Sequence, residues 1–353
     1  MTTGIPQTWT LCASAFNWTP DITAARRPAQ DIVTGIVADG VADTVELEPG
    51  LLWRSFPEPR DAEVDEFRDA LDQVGGRVSI VGASLDDFLS ATQQRSTQER
   101  LDFLVPQLQA ARRVGAAGVR LPIGQAGAEL LALVQPLLHE LDLVLYEEIQ
   151  GQQAPDSPAI APALETIAGL ADDHVRVLVD ISMLMPALPA SYLEELRRGG
   201  VPGELVTRLA DEWRNPATLD AVKALLQSGN VPPRVHTLFM NLVIRFGRSD
   251  ASDLRSILPL VGGFHLKFWD LEDADGRVSQ PLRDLGGLLG GNGFAGTLTS
   301  EWGGHEWLQD DPTDITRRHL ALATTALAAG ASGARASGAR ASGAGALGKG
   351  AAA

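Results

Sequence analysis

The feature that most constrains the fold of this chain is an alternation. Eight short apolar runs are each followed by a longer segment, and most of those segments space their apolar residues at a helical period. Short runs of this kind read as buried strands, and their alternation with amphipathic helices is the pattern of a parallel sheet with helical crossovers. Strands are predicted at about 8–15, 43–48, 77–83, 118–123, 142–149, 174–181, 262–268 and 296–301. Helices are predicted near 28–39, 60–74, 96–114, 126–140, 158–172 and 313–329. In the third of these, Leu101, Leu104, Leu108 and Ala111 fall on one face. Eight strands with intervening helices define an α/β fold, the (β/α)8 barrel, and the length suits it. A doubly wound open sheet is the alternative. It fits less well, because the first strand runs into AFNWTP where a glycine-rich phosphate loop would be needed.

The regular spacing breaks once. Roughly 80 residues separate the sixth strand from the seventh, far more than one crossover helix requires. Within that gap Val235, Leu238, Phe239, Leu242, Val243 and Phe246 form an apolar helical stripe. Residues 182–255 are therefore expected to be a helical insertion, on the catalytic face because it follows a strand's C-terminal end. The tail 330–353 repeats ASGAR and has almost no large apolar residues, so it is expected to be disordered. The expected organisation is a barrel over 1–329 carrying the insertion, followed by that tail.

Charge narrows the choice of partner. The formal net charge is −16, with 29 basic and 45 acidic residues. Three of the basic residues lie in the tail, leaving 26 against 45 in the body, a charge of −19. Such a surface repels phosphate backbones, so nucleic acid is not an expected partner. A single cysteine, Cys12, excludes an internal disulfide and fits a reducing compartment. The N-terminus has no signal-peptide pattern and no run reaches membrane-spanning length. The sequence reads as a soluble cytoplasmic protein, and an oligomer is the expected state.

Four of the apolar runs end on residues that bind metals. LVLYEEIQG ends on Glu147 and Glu148, HVRVLVD on Asp180, GGFHLKFW carries His265, and GTLTSEW carries Glu301. Burying such groups without partners costs several kcal/mol, so four strand ends of this type point to one shared site. Side chains alternate along a strand, so only one of Glu147 and Glu148 faces the barrel interior; Glu148, at the strand's very end, is the choice. Glu148, Asp180, His265 and Glu301 form an oxygen-rich set suited to Mn²⁺, with Mg²⁺ or Co²⁺ as alternatives. Lys267, two residues past His265, and His305, on a Gly-Gly loop, are candidate proton-transfer groups beside Glu148 and Glu301. Glu46 and Glu48 share a strand face and are placed to bind hydroxyls or to pair with Arg54. Trp53, Trp269 and Trp302 lie at strand ends where an indole stacks on a sugar ring, and core packing is their alternative role.

The order Glu148, Asp180, His265, Glu301 over the last four strands resembles the xylose isomerase-like barrels of sugar isomerases and epimerases. A narrower similarity is to the alpha subunits of bacterial C-glycoside deglycosidases. It rests on VELEPGLLWRSFP, YEEIQ, VDISM, HLKFWDLEDADG and SEWGGHEW, within residues 8–325. The resemblance implies a divalent-metal enzyme that removes a proton next to a carbonyl of an oxo-sugar, with a small beta subunit as partner. A lyase cleaving 3-oxo-glycosides is the favoured outcome, and a sugar isomerase or epimerase the alternative. Relatives often carry a histidine two positions after the strand-five glutamate; here that position is Gln150, placed toward substrate. A sugar-binding barrel without catalysis is the third reading.

Overall fold

A computed structural model describes residues 4–346. Its centre is a closed barrel of eight parallel strands. They are β1 (Trp9–Ser14), β2 (Thr44–Leu47), β3 (Arg77–Gly82), β4 (Gly118–Pro122), β5 (Val144–Ile149), β6 (Val175–Asp180), β7 (Val261–Phe268) and β8 (Gly296–Trp302). Each strand pairs with the next in sequence, and β8 closes on β1 with Trp9 beside Gly296. These are the eight predicted runs, displaced by at most two residues at their ends.

The crossover helices are α1 (Ala29–Ala38), α2 (Asp61–Gln73), α3 (Thr97–Arg113), α4 (Gly127–Leu141) and α5 (Ala161–Leu170). In α3, Ser96 and Glu99 exchange side-chain and backbone hydrogen bonds in a capping box, which fixes where the helix starts. Its buried face includes Leu104, Leu108 and Ala111. Together with strand residues such as Val45, Val119, Leu145 and Val177, that face belongs to one continuous core between barrel and helices.

Between β6 and β7 lie α6 (Ala190–Arg198), α7 (Gly203–Asp211), α8 (Pro216–Gln227) and α9 (His236–Ile244). They have a second hydrophobic core, in which Val235, Phe239, Leu242 and Phe246 pack on Tyr192, Trp213 and Trp269. Phe246 meets the Trp269 ring edge-on at 4.9 Å, which ties this core to the end of β7. The far end of α9 reaches across the mouth. Gln152, after β5, donates to the Phe246 carbonyl, and Arg245 pairs with Glu306, after β8. Gly151 sits there with φ +57°, and a Cβ at that position would collide with the Ile244 carbonyl. Only glycine adopts this backbone freely and leaves that space.

Two helices close the barrel wall. The sequence did not signal α10 (Ser279–Gly290), whose glycines and Pro281 resemble a loop. Those glycines serve packing: a side chain on Gly286 would strike the Leu327 backbone of α11 (Pro312–Ala346). α11 continues past the boundary expected at 330, because alanine favours helix and Ala331 is buried against Gly290. Residues 347–353, the end of the expected disordered tail, lie outside the described residues. Among the described residues, no helix is long and apolar enough to cross a membrane.

Candidate metal centre

The C-terminal ends of β5 to β8 bring Glu148, Asp180, His265 and Glu301 together. One ligating atom from each lies within 4.8 Å of the other three, and all four residues are buried. Strand alternation explains the selection from β5. Glu148 points into the barrel, while Glu147 accepts from the Gly124 backbone N–H at 2.9 Å, at the approach to α4. Burial pushes the Glu147 carboxyl up, and its Oε1 has no partner.

The four side chains are held from behind. Lys267 Nζ takes Glu301 Oε1 at 2.7 Å, and Arg120 Nη1 takes Glu148 Oε2 at 2.8 Å. The Ser182 backbone N–H donates to Asp180 Oδ1 at 2.7 Å. His265 Nε2 lies 2.9 and 3.0 Å from the two Glu46 oxygens. Its Nδ1 faces Glu148 Oε1 at 3.0 Å and Glu301 Oε2 at 2.7 Å. The atoms left to face one another are therefore Glu148 Oε1, Glu301 Oε2 and His265 Nδ1, with Asp180 Oδ2 free of that backbone bond.

Charge in the cluster is unbalanced. Glu46, Glu48, Glu148, Asp180 and Glu301 share it with Arg120, Lys267 and His265. Burial alone would raise Glu148 and Glu301, but Arg120 with His265, and Lys267 with His265, outweigh it and hold both below the usual carboxylate range. For Asp180 burial wins over the pull of Lys267, and its carboxyl is pushed up to about 6. Burial likewise raises Glu48 against Arg120, with Glu46 adding to the effect. His265 stands well above its usual value although burial opposes this, because Glu46, Glu301 and Glu148 surround it. With all five acids ionised against three bases the buried site carries a surplus of two negative charges, and without a cation Asp180 and Glu48 are drawn toward the protonated form. A divalent cation balances such a surplus, and this donor set can hold one.

The remaining predicted residues fall in different places. Glu46 is completely buried and hydrogen-bonded to His265 and Arg120, so it faces the cluster and not the mouth. Arg54 is exposed and does not serve Glu46 or Glu48; Arg120, from β4, pairs with both. Trp53 is 2% exposed and packs edge-on to Phe67, leaving no face for a sugar ring. Trp269 and Trp302 are buried too, and Trp302 Nε1 donates to the Trp269 carbonyl at 2.8 Å. Gln150 is half-buried in the loop after β5, its backbone N–H held by the Gln153 side chain at 2.8 Å. His305 lies tilted by 59° against Phe16, ring centres 4.7 Å apart, and the Phe16 ring also lies 4.9 Å from Lys267 Nζ. Burial and Lys267 push the His305 ring below its ordinary value, and its Nε2 has no partner. Arg120 was missed because an arginine inside VRLPI reads as a strand-edge residue. The inward alternation of its neighbours Val119 and Leu121, both buried on the other face, was the available signal.

A closed parallel barrel with a carboxylate–imidazole cluster at the C-terminal strand ends is an enzyme-type architecture. No family model matches the chain. Among curated proteins it is 26% identical over 324 residues to a C-glycoside deglycosidase alpha subunit of Arthrobacter globiformis, covering 90% of this chain and 92% of that one. It is 25% identical over 328 residues to the 3'-dehydrocarminate deglycosidase alpha subunit of a Microbacterium species, covering 86% and 91%. Among solved structures it superposes on D-psicose 3-epimerase with a TM-score of 0.55 at 13% identity, covering 90% of this chain and 99% of that one. That last likeness is one of fold.

Proposed function

We propose that this chain is a divalent-metal-dependent lyase of the C-glycoside deglycosidase type, acting on a 3-oxo-glycoside. The observation that carries this reading is the convergence of Glu148, Asp180, His265 and Glu301 with ligating atoms turned toward one another. The full-length similarity to deglycosidase alpha subunits supports the substrate class.

Glu148, Asp180, His265 and Glu301 would hold the ion, and Mn²⁺ suits them first, with Mg²⁺ or Co²⁺ next. When bound, the ion supplies Lewis-acid stabilisation of negative charge on the substrate's carbonyl oxygen. The chain's own residues supply the proton transfers. Glu148 or Glu301, through the oxygen turned toward the shared point, would remove the proton on the carbon between the carbonyl and the glycosidic carbon. The aglycone then leaves with the electron pair of the broken carbon–carbon bond and takes up a proton, and the sugar is left as an unsaturated ketone. That proton is the one removed from the sugar carbon, and His305, held neutral by burial and Lys267 with its Nε2 unpartnered, is suited to relay it. Lys267 orients Glu301, and Gln150 lies beside the mouth where it can meet substrate. Glu46, through His265, maintains the cluster.

The barrel unit is taken as 1–329, with 182–255 as its elaboration and the segment 330–353 counted separately by composition although α11 enters it. A small beta subunit is the proposed partner, after the alpha-subunit names of the relatives. A reducing, cytoplasmic setting and an oligomeric state complete the proposal. The test is incubation of the Mn²⁺-loaded protein with a 3-oxo-C-glucoside, with and without a candidate beta subunit. Release of free aglycone supports the lyase. Ketose formation from an aldose instead would make it an isomerase, since both reactions begin with the same proton removal. Bound metal without turnover of any sugar would make it a binding barrel.

A further inference from the structure

The metal-binding atoms are free because other residues occupy what lies beside them, and one side chain does more of this than any other. Arg120 enters the barrel from β4 and spreads its guanidinium over three carboxylates. Nε meets Glu46 Oε1 at 3.0 Å, Nη1 meets Glu148 Oε2 at 2.8 Å, and Nη2 meets Glu48 Oε1. We propose that Arg120 is the positioning residue of the metal centre, selecting through Glu46 which nitrogen of His265 stays free and directly which oxygen of Glu148 does. The inference rests on the metal-centre reading above and adds to it the device that presets the ligands.

A neutral imidazole has one N–H, and the acceptor it meets decides which nitrogen carries it. Both Glu46 oxygens lie against His265 Nε2, so when a cation takes the place of the proton on Nδ1, the remaining N–H stays on Nε2 and Nδ1 offers its lone pair. Nδ1 is the nitrogen that faces Glu148 and Glu301. Glu46 is itself a completely buried carboxylate, and Arg120 is the cation that keeps it in place. Arg120 also occupies Glu148 Oε2, leaving Oε1 toward the shared point. The backbone accommodates this fork. Gly82 pairs with Arg120 across β3 and β4, and a Cβ there would lie 2.9 Å from Glu48 Oε2 and 3.4 Å from Arg120 Nη2. A planar group with donors in fixed directions can bridge three carboxylates at once, whereas an ammonium on a flexible stem cannot.

The test uses the metal-free full chain in four forms: wild type, Arg120→Lys, Glu46→Gln and the remote control Arg113→Lys, whose arginine pairs with Asp61 and Asp65 on the outer helices. Mn²⁺ affinity is read from the paramagnetic resonance signal of the free ion, ligand geometry from the visible bands of bound Co²⁺, and integrity from the melting of the metal-free protein. The expected result is a roughly 10–100-fold weaker Mn²⁺ affinity with altered Co²⁺ bands in Arg120→Lys and Glu46→Gln. Arg113→Lys should match wild type. A purely structural role would change melting alone and leave affinity and bands intact in both variants, which overturns the proposal. If Arg120→Lys does not fold, Glu46→Gln decides by the same criteria. A wild type that takes up no Mn²⁺ overturns the metal reading and this proposal together, an outcome distinct from variants that bind as well as wild type.

Discussion

Glu148, Asp180 and Glu301 each have one oxygen on a cationic partner or a backbone N–H, and removing either member of such a pair leaves a buried charge uncompensated. Glu148→Gln and Glu301→Gln are therefore expected to weaken Mn²⁺ binding by at least about tenfold, read by titration of the metal-free protein. A second buried group gives a pH dependence away from the cluster. His319 is completely buried, stacked on Phe268 at 3.8 Å with Nδ1 2.8 Å from Ser300 Oγ, and burial pushes its ring from 6.5 down to about 3. Between those values the unfolded chain takes up a proton that the folded chain refuses, so stability falls as pH drops below 6.5. The expected slope is about 1.4 kcal/mol per pH unit. His319→Phe should lose that slope when urea unfolding is compared at pH 7 and pH 5; an unchanged pH dependence would rule this out. At this scale the sequence picked out the four residues that converge, because a charged residue ending an apolar run is conspicuous. It concealed Arg120, and with it the partner of Glu46, which lies 74 residues away in the chain.

The strands were legible because their apolar runs are bounded by turn residues, and the helices α1 to α5 because their buried faces repeat every three to four residues. α10 was not, since Gly286 and Gly290 allow close contact with α11 and carry no periodic signal of their own. The stripe on α9 was plain, yet nothing in it told what the stripe would cover. In the structure it joins a separate core, so the insertion has its own account of stability. Phe239 is completely buried there, and Phe239→Ala should cost about 3–5 kcal/mol. Hydrogen exchange should then show α6 to α9 opening while the barrel strands stay protected. Uniform loss of protection across the molecule would mean that the two cores fold as one.

For the molecule as a whole, an ion that binds the folded chain and not the unfolded one stabilises it by mass action. Mn²⁺ at about a hundred times its dissociation constant should add roughly 2.7 kcal/mol, reversed by a chelator and seen as an upward shift in melting temperature. No shift at any concentration would count against the metal centre. The contacts of α9 then acquire a mechanical meaning. Its end rests on the loops that follow β5 and β8, through Gln152 and Glu306, and those strands carry Glu148 and Glu301. A molecule that displaced α9 would pull on the two strands that carry Glu148 and Glu301, so access to the site and the spacing of those two carboxylates are mechanically linked.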